Sequence, residues 1–549
     1  MKKKYKINKV NIDLSNYNGN DSYSDGDIEA EILNTLKLGK GKELLFNDNR
    51  WPVLYHLSSK RYNLLDGFSF KENASVLEIG CGCGAVTGIL CHKAKSVTAV
   101  EISPRRAEIA AYQNKNRDNL TICVGNLNDM NFKEKFDYVT LIGVLEYAGS
   151  FTHTDNPWLD FLFSCKKFLK SDGKIIIAIE NKLGMKYWSG AREDHTGGYF
   201  DGMEGYDTNA VKTFSRKELK ELLLSAGFMD IEWFYPHPDY KFPIDIYSDN
   251  HLPTVSQLKE VANWPYDHNR VEIFSENKAF FNILNAGLYP EFSNSFLVIA
   301  SSDNVMNKLK QPSYIHHPFM RKDKYSVVTS IVDLGNKMVI RKEAINYAGK
   351  KHLKMIAENC QILNKIYGIE HVAQCRMLND KILEMDYIEG QSFSDLAIKA
   401  MYEGGVAGLS GYIEFYCNNI LIGIKDGMKV PDFDFTSPKR QYNFDLHFGN
   451  IIVNESGFAI FDYEWLASNI PAKYTLYRTL KILYLDNISD MKKFNVDLDL
   501  LFKSCGIDKN DEIIYKKWDI KFGSMVQDNY MLNYRKDIRK IDLNELNVR

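Results

Sequence analysis

The feature that most constrains this chain is a series of short, nearly continuous apolar runs separated by helical stretches. The runs are Ser75–Ile79, Ser96–Glu101, Phe136–Ile142, Lys174–Glu180, Ile231–Tyr235 and Ser295–Ser301. A strand with one wet face alternates apolar and polar side chains, so a run without alternation is buried on both faces. Helices must then cover both faces, which predicts a parallel α/β sheet. Ahead of it, residues 1–72 read as a polar lead and two helical patterns. Asp27 is placed to cap the first, Ile28–Leu38, and Trp51-Pro52 opens the second, which Asp66-Gly67 ends.

Between the last two runs lies an insert at about 237–291, too long for an ordinary loop. Its Trp264, Tyr266, Phe274, Phe280, Phe281 and Tyr289 would suit stacking on sugar rings; the plainer reading is a core for the insert itself. Residues 303–323 are polar and Pro-bearing and mark a domain boundary between 73–302 and 324–549. A different pattern follows: strand-like runs at Tyr325–Leu334 and Met338–Arg341, a helix at Lys350–Tyr367, a strand at Lys381–Ile388, then mainly helix. The fold class expected is therefore α/β followed by α+β.

After the first buried run stands Glu78-Ile79-Gly80-Cys81-Gly82-Cys83-Gly84-Ala85, opening a helix. Glycines there allow a tight turn and close approach of a ligand, and the helix N-terminus favours negative charge. The pattern also fits G-x-G-x-x-A, so a dinucleotide site stays open at this point. Three features favour a nucleoside carrying an amino acid. Glu78 would repel a pyrophosphate but suit an ammonium. Glu101 ends the next strand about twenty residues on, where an acid accepts from two ribose hydroxyls. Gly125-Asn126-Leu127 is placed to meet an adenine edge.

With these residues, 75–301 resemble a class I S-adenosylmethionine-dependent methyltransferase with a Rossmann-like sheet. The resemblance implies that Gly80, Gly82 and Gly84 line the methionine and ribose, Glu78 supports the amino group, Glu101 holds the ribose, and Asn126 and Leu127 meet adenine. Asn126 stands where many members carry an acid. No Asp-Pro-Pro-Tyr or Asn-Pro-Pro-Tyr run follows the strand Phe136–Ile142, which argues against methylation of an exocyclic base nitrogen. Past the fourth run, Lys174–Glu180, the stretch Glu193-Asp194-His195-Thr196-Gly197-Gly198 would overhang the transferable methyl. There His195 beside Asp194 serves either as general base for a hydroxyl acceptor or as part of a loop held by local hydrogen bonds. Arg61 is a candidate clamp for a carboxylate or phosphate, an exposed surface arginine being the commoner explanation.

A second constellation is Asn443-Phe444-Asp445-Leu446-His447-Phe448-Gly449-Asn450, an apolar strand, a turn at Glu455-Ser456-Gly457, and Phe461-Asp462-Tyr463-Glu464. Phosphoryl transfer needs a carboxylate for the acceptor's proton and oxygen ligands for magnesium, and this spacing supplies both. The segment from Tyr325 on resembles the aminoglycoside phosphotransferase and choline kinase branch of the bilobal protein-kinase-like fold. That resemblance implies ATP and Mg2+ as cofactors, Asp445 as catalytic base, Asn450 and Asp462 as metal ligands, and Glu464 as an accessory carboxylate. It also implies Lys342 on the phosphates, with Arg341 as fallback, Glu358 as the lysine's ion-pair partner, and 383–390 as the hinge that reads adenine. Asn443 departs from the usual His.

The pairing resembles bifunctional kinase–methyltransferases that terminate O-antigen polysaccharide chains. It implies a hydroxyl-bearing acceptor, a glycan or a small molecule, with glycan-assembly proteins as partners. The alternatives are a small-molecule O-methyltransferase regulated by a nucleotide-binding pseudokinase, and a non-enzymatic glycan-assembly scaffold. Composition bounds the choice. Lys plus Arg is 69 against Asp plus Glu 71, so no global field holds nucleic acid. Nine scattered cysteines fit reduced thiols in a cytoplasmic protein. No signal peptide opens the chain and no apolar run is long enough for a transmembrane helix.

Overall fold

The computed structural model describes residues 3–19, 24–152, 154–206, 211–260, 263–302, 309–425 and 430–541. The chain divides into two compact units, Met1–Phe319 with Asn529–Arg549, and Met320–Asp528.

In the first unit the strands are β1 (Lys4–Ile7), β2 (Val10–Asp13), β3 (Ser75–Ile79), β4 (Ser96–Glu101), β5 (Leu120–Val124), β6 (Phe136–Ile142), β7 (Leu169–Glu180), β8 (Asp230–His237), β9 (Asp245–Ser248), β10 (Arg270–Glu272), β11 (Ser295–Ser301) and β12 (Tyr314–His316). Those of the main sheet run β1-β2-β5-β4-β3-β6-β7-β11-β8-β9-β12. From β2 to β7 every pair is parallel. The wholly parallel expectation fails at β11, which runs antiparallel between β7 and β8. The reason is the insert: it carries the chain from β8 back across the sheet end, so β11 enters without a crossover helix. β11 is buried at every position, as its unbroken apolar run required.

The strand order reverses around β3, with β4 on one side and β6 on the other. Ligands of such sheets bind beyond the strand C-termini at that reversal, where the glycine turn and Glu101 lie. Phe280 and Tyr289 of the insert are fully buried beside Phe296 and Val298, so the insert builds core, while Phe274 and Phe281 stay exposed.

Two boundaries differ from the expectation. β12, inside the expected linker 303–323, pairs with β9 and belongs to the first unit; residues 303–308 lie outside the described residues. Residues 529–541 likewise belong to the first unit and not to a second domain reaching 549. Ile538–Lys540 pairs in parallel with β10, Tyr534 donates its hydroxyl to the Leu45 carbonyl at 2.7 Å, and Tyr530 meets the Ser58 hydroxyl at 2.8 Å. Apolar side chains hold the return in place: Tyr530, Met531 and Tyr534 are buried against Leu45, Leu54 and Phe242.

The second unit contains β13 (Val327–Asp333), β14 (Met338–Ala344), β15 (Cys375–Met377) and β16 (Ile382–Asp386), antiparallel in the order β13-β14-β16-β15. The helix Lys350–Tyr367 buries His352, Leu353, Ile356, Asn359, Cys360 and Leu363, the three-and-four spacing of one helical face. The hairpin of Ile451–Asn454 and Gly457–Ile460 and a set of helices complete the unit.

Ending the chain after Asp528 should remove three buried side chains worth about 1.5–3 kcal/mol each from the first unit. Scanning calorimetry should show its transition falling by about 5–10 °C, with the second unit's transition unmoved.

Candidate active sites

The first site grows from the turn after β3. Gly80, Gly82 and Gly84 take φ of 67°, 53° and 85°, a region that costs an L-residue about 1–2 kcal/mol. They do different work. A Cβ on Gly80 would lie 2.7 Å from Val144 Cγ2, and one on Gly84 2.7 Å from Ala110 Cα, so these two let the turn pack tightly. A Cβ on Gly82 would meet nothing within 4 Å. That open side faces a cavity of about 600 Å³, which Glu78, Glu101, Asn126 and Leu127 also line.

Glu101, at the end of β4, accepts the Gly82 N–H at 2.8 Å and the Ser103 N–H at 2.9 Å. Burial pushes its carboxyl up from the usual range, and these N–H donors and nearby Arg106 oppose that. Glu78 is buried, which raises its carboxyl to about 7. Its Oε2 has no hydrogen-bond partner among the described residues. Asn126 accepts the Asn128 N–H at 3.0 Å and so caps the short turn Leu127–Asp129.

Glu146, Tyr147, His195, Lys241 and Arg61 line the same cavity. The side chain of His195 is 6% exposed, with Nε2 3.3 Å from Glu180 Oε2 and Nδ1 3.0 Å from the Tyr147 hydroxyl. Burial opposes its protonation, but Glu180 outweighs burial and lifts the imidazole to about 9. His195 is therefore charged near neutrality in this state, so it accepts a proton only after giving one up. Its carboxylate partner is Glu180 and not the adjacent Asp194, because Asp194 turns to Lys186 at 2.9 Å and the Tyr187 hydroxyl at 3.0 Å. Burial pushes Glu146 up to about 8. Glu180, though buried, is held well below the usual range by Lys241 and His195. Arg61 is no surface arginine. It is 3% exposed, donates to the Lys241 carbonyl at 2.9 Å and stacks 4.5 Å from the Tyr55 ring centroid.

In the second unit Asn443 organises the loop that carries Asp445. Its Oδ1 accepts the Asp445 N–H at 3.1 Å, and its Nδ2 donates to the Asp462 carbonyl at 3.3 Å. Asn450 Nδ2 donates to the Asp445 carbonyl at 2.9 Å. Asp445, Asn450 and Asp462 are thus joined through backbone and amide bonds. The Asp445 carboxylate pairs with Arg478 on the helix Ala472–Asp486. Burial raises its pKa, and Arg478 more than offsets this, leaving it below the usual range.

Lys342 lies 3.3 Å from Asp462 Oδ1 and is paired with Glu464. Glu358 is not its partner: it lies on the solvent side of its helix, 62% exposed, and pairs with Arg440. Glu464 takes that place, held also by Arg321 and by His352 at 3.3 Å. Strand alternation sends Arg341 to the other face of β14, where it reaches Glu384 at 3.3 Å. Arg478, Arg321, Tyr147 and Lys241 had no local sequence signal, since each meets its partner across a long stretch of chain.

The family comparison bears on the first unit. Residues 77–177 match the family model described as a methyltransferase domain. Over 151 residues the chain is 26% identical to a ubiquinone biosynthesis O-methyltransferase of Pelagibacter ubique, covering 27% of this chain and 60% of that one. Over 135 residues it is 32% identical to the mitochondrial ubiquinone biosynthesis O-methyltransferase of Schizosaccharomyces pombe, covering 23% and 46%. The chain thus spans about half to three-fifths of these curated relatives. Among solved structures it is similar to the N-methyltransferase NodS of Bradyrhizobium japonicum, at 21% identity and TM-score 0.19, covering 27% of this chain and 71% of that one. It is also similar to phosphoethanolamine N-methyltransferase 1 of Haemonchus contortus, at 15% identity and TM-score 0.29, covering 52% of each. Residues 77–177 thus form a methyltransferase domain on a Rossmann-like sheet. No helix among the described residues is long and apolar enough to cross a membrane.

The charges of the second unit set a pH dependence. Glu464 and Asp445 have depressed folded-state values, so the stability they supply is full above the unfolded carboxylate range and is lost as pH falls below about 4.5. Burial shifts Asp462 the other way, so its ionised form opposes folding at neutral pH. Asp462→Asn should therefore raise the urea midpoint of the second unit at pH 7, and a lowered midpoint would contradict this electrostatic account.

Proposed function

We propose that the chain is a bifunctional transferase, methylating from S-adenosylmethionine in the first unit and phosphorylating from ATP in the second. The observation that carries the reading is the Glu101–Gly82 hydrogen bond beside a cavity that a Gly82 side chain would enter. The donor set fits the cofactor. Gly80 and Gly82, which line the cavity, would meet its methionine and ribose, with Gly84 packing the turn against Ala110, and the unpartnered Glu78 oxygen would meet its amino group. Glu101 would exchange backbone donors for ribose hydroxyls, and Asn126 and Leu127 would face adenine. S-adenosylmethionine supplies an electrophilic methyl on a sulfonium.

The acceptor is proposed to carry oxygen. The names of the two curated relatives support O-methylation, and Tyr147, His195 and Arg61 line the cavity with polar groups for such a molecule. A phosphate monoester is already anionic at neutral pH and needs no general base. Phosphorylation followed by methylation would accordingly ask little of His195. In the second unit Asp445 would take the acceptor hydroxyl's proton, Asn450 and Asp462 would hold magnesium, and Lys342 would meet the phosphates. A surface polysaccharide or its precursor, modified by a cytoplasmic enzyme, is the acceptor class this pairing suits.

A second reading has a specific observation behind it. Arg478 on Asp445 weakens that carboxylate as a base, which favours a second unit that binds nucleotide and regulates the first.

Incubation with labelled S-adenosylmethionine and ATP over a glycan and metabolite panel separates the readings. The bifunctional account expects Asp445→Ala to lower phosphate transfer by at least about a thousandfold, as loss of a central catalytic group does. Methyl incorporation should fall with it and return on a pre-phosphorylated acceptor. Undiminished phosphate transfer by Asp445→Ala would remove the kinase assignment.

A further inference from the structure

We propose that Glu146, Glu180 and His195 bind a divalent first-row cation of the Mn2+ or Zn2+ kind on the wall of the first unit's cavity. One atom from each of the three lies within 4.8 Å of the others. Metal–ligand bonds near 2.1 Å place neighbouring ligand atoms about 3.0–3.4 Å apart, so closure from separations of up to 4.8 Å needs side-chain shifts of about 2 Å or less.

The side chain free to shift is Glu146. It is 1% exposed, and neither of its oxygens has a hydrogen-bond partner among the described residues. Leaving two carboxylate oxygens buried and unbonded is costly unless something else takes them up. Lys241 and Lys186 are engaged elsewhere, Lys241 on Glu180 and Lys186 on Asp194 and Asp239. Glu146 and His195 both line the cavity.

The other two ligands are already oriented, and cation binding would release the protons of His195 and Glu146 to solvent. Lys241 takes Oε1 of Glu180, which leaves Oε2 facing His195. Tyr147 meets His195 Nδ1 at 3.0 Å, so the nitrogen turned toward Glu180 is Nε2. A hydrogen bond on the far imidazole nitrogen is the usual device that fixes a ligating histidine. Charge agrees: Glu146, Glu180, Glu193, Asp194 and Asp239 gather around two lysines and one histidine. A mixed set of carboxylate oxygen and imidazole nitrogen suits Mn2+ or Zn2+ better than Ca2+ or Mg2+. Glu146 and His195 line the cavity, so an acceptor hydroxyl bound there would meet the cation and become more acidic. That last role rests on the methyl-transfer reading; the cation site itself does not.

Mn2+ uptake, followed by loss of the free-ion paramagnetic resonance signal, tests this in the full-length Asp462→Asn protein, where the second unit's proposed metal site is removed. One equivalent should bind, and Glu146→Gln in the same background should weaken it at least tenfold. Tyr147→Phe, which removes the hydroxyl that meets His195 Nδ1, should cost about 10–100-fold. Calorimetric S-adenosylmethionine binding, measured on each variant, checks that the first unit is folded and tests the cofactor reading separately. Absence of uptake up to about 1 mM Mn2+, a concentration that corresponds to only about −4 kcal/mol, would overturn the proposal. Uptake indifferent to Glu146→Gln would overturn it equally.

Discussion

The first unit depends on one carboxylate. Glu101 ends β4 and reaches across to the turn after β3, where it accepts the Gly82 N–H while also holding Ser103. Two parallel strands are thereby tied together at the point where the sheet reverses its order, and the turn is fixed in a conformation that only glycine takes cheaply. The contacts beyond a Cβ of Gly80 or Gly84 show that the turn is packed on one side, and the vacant surroundings of Gly82 show that it is open on the other. A buried carboxylate in that position lines the cavity, which is what the proposed cofactor site needs for ribose hydroxyls.

How much of this was legible in the sequence follows from how local each feature is. The glycine turn, Glu101 and the unbroken apolar strands are readable because their partners are neighbours in the chain or fixed by strand geometry. The two N-terminal strands were not, since Lys4–Ile7 and Val10–Asp13 are short, polar and at the sheet edge. β5 alternates in burial and so lacks the unbroken run that marked its neighbours. The C-terminal return escaped for a different reason: nothing in residues 529–541 names a partner near residues 45 and 270.

In both sites the charge partners were the illegible part. Asp445, Asn450 and Asp462 stand out by spacing, yet the partner of Lys342 depends on which face of a helix is turned inward, and that face carries His352 and Asn359, not Glu358. In the first unit, His195 sits next to Asp194 in sequence but pairs with Glu180 in space, because Lys186 already occupies Asp194. Adjacent residues in a loop point in different directions, so adjacency was a poor guide. Both sites bury opposite charges together, which costs desolvation.

The measurement that tests the central claim most directly is calorimetric titration of the full-length chain with S-adenosylmethionine, beside the Glu101→Ala protein. The account predicts one site per chain in the unaltered protein, competed by the demethylated product, and loss of about 2 kcal/mol or more of binding in the variant, the scale of hydrogen bonds to a charged group. Equal affinity in the two proteins, or no binding to either while both remain folded, would contradict it.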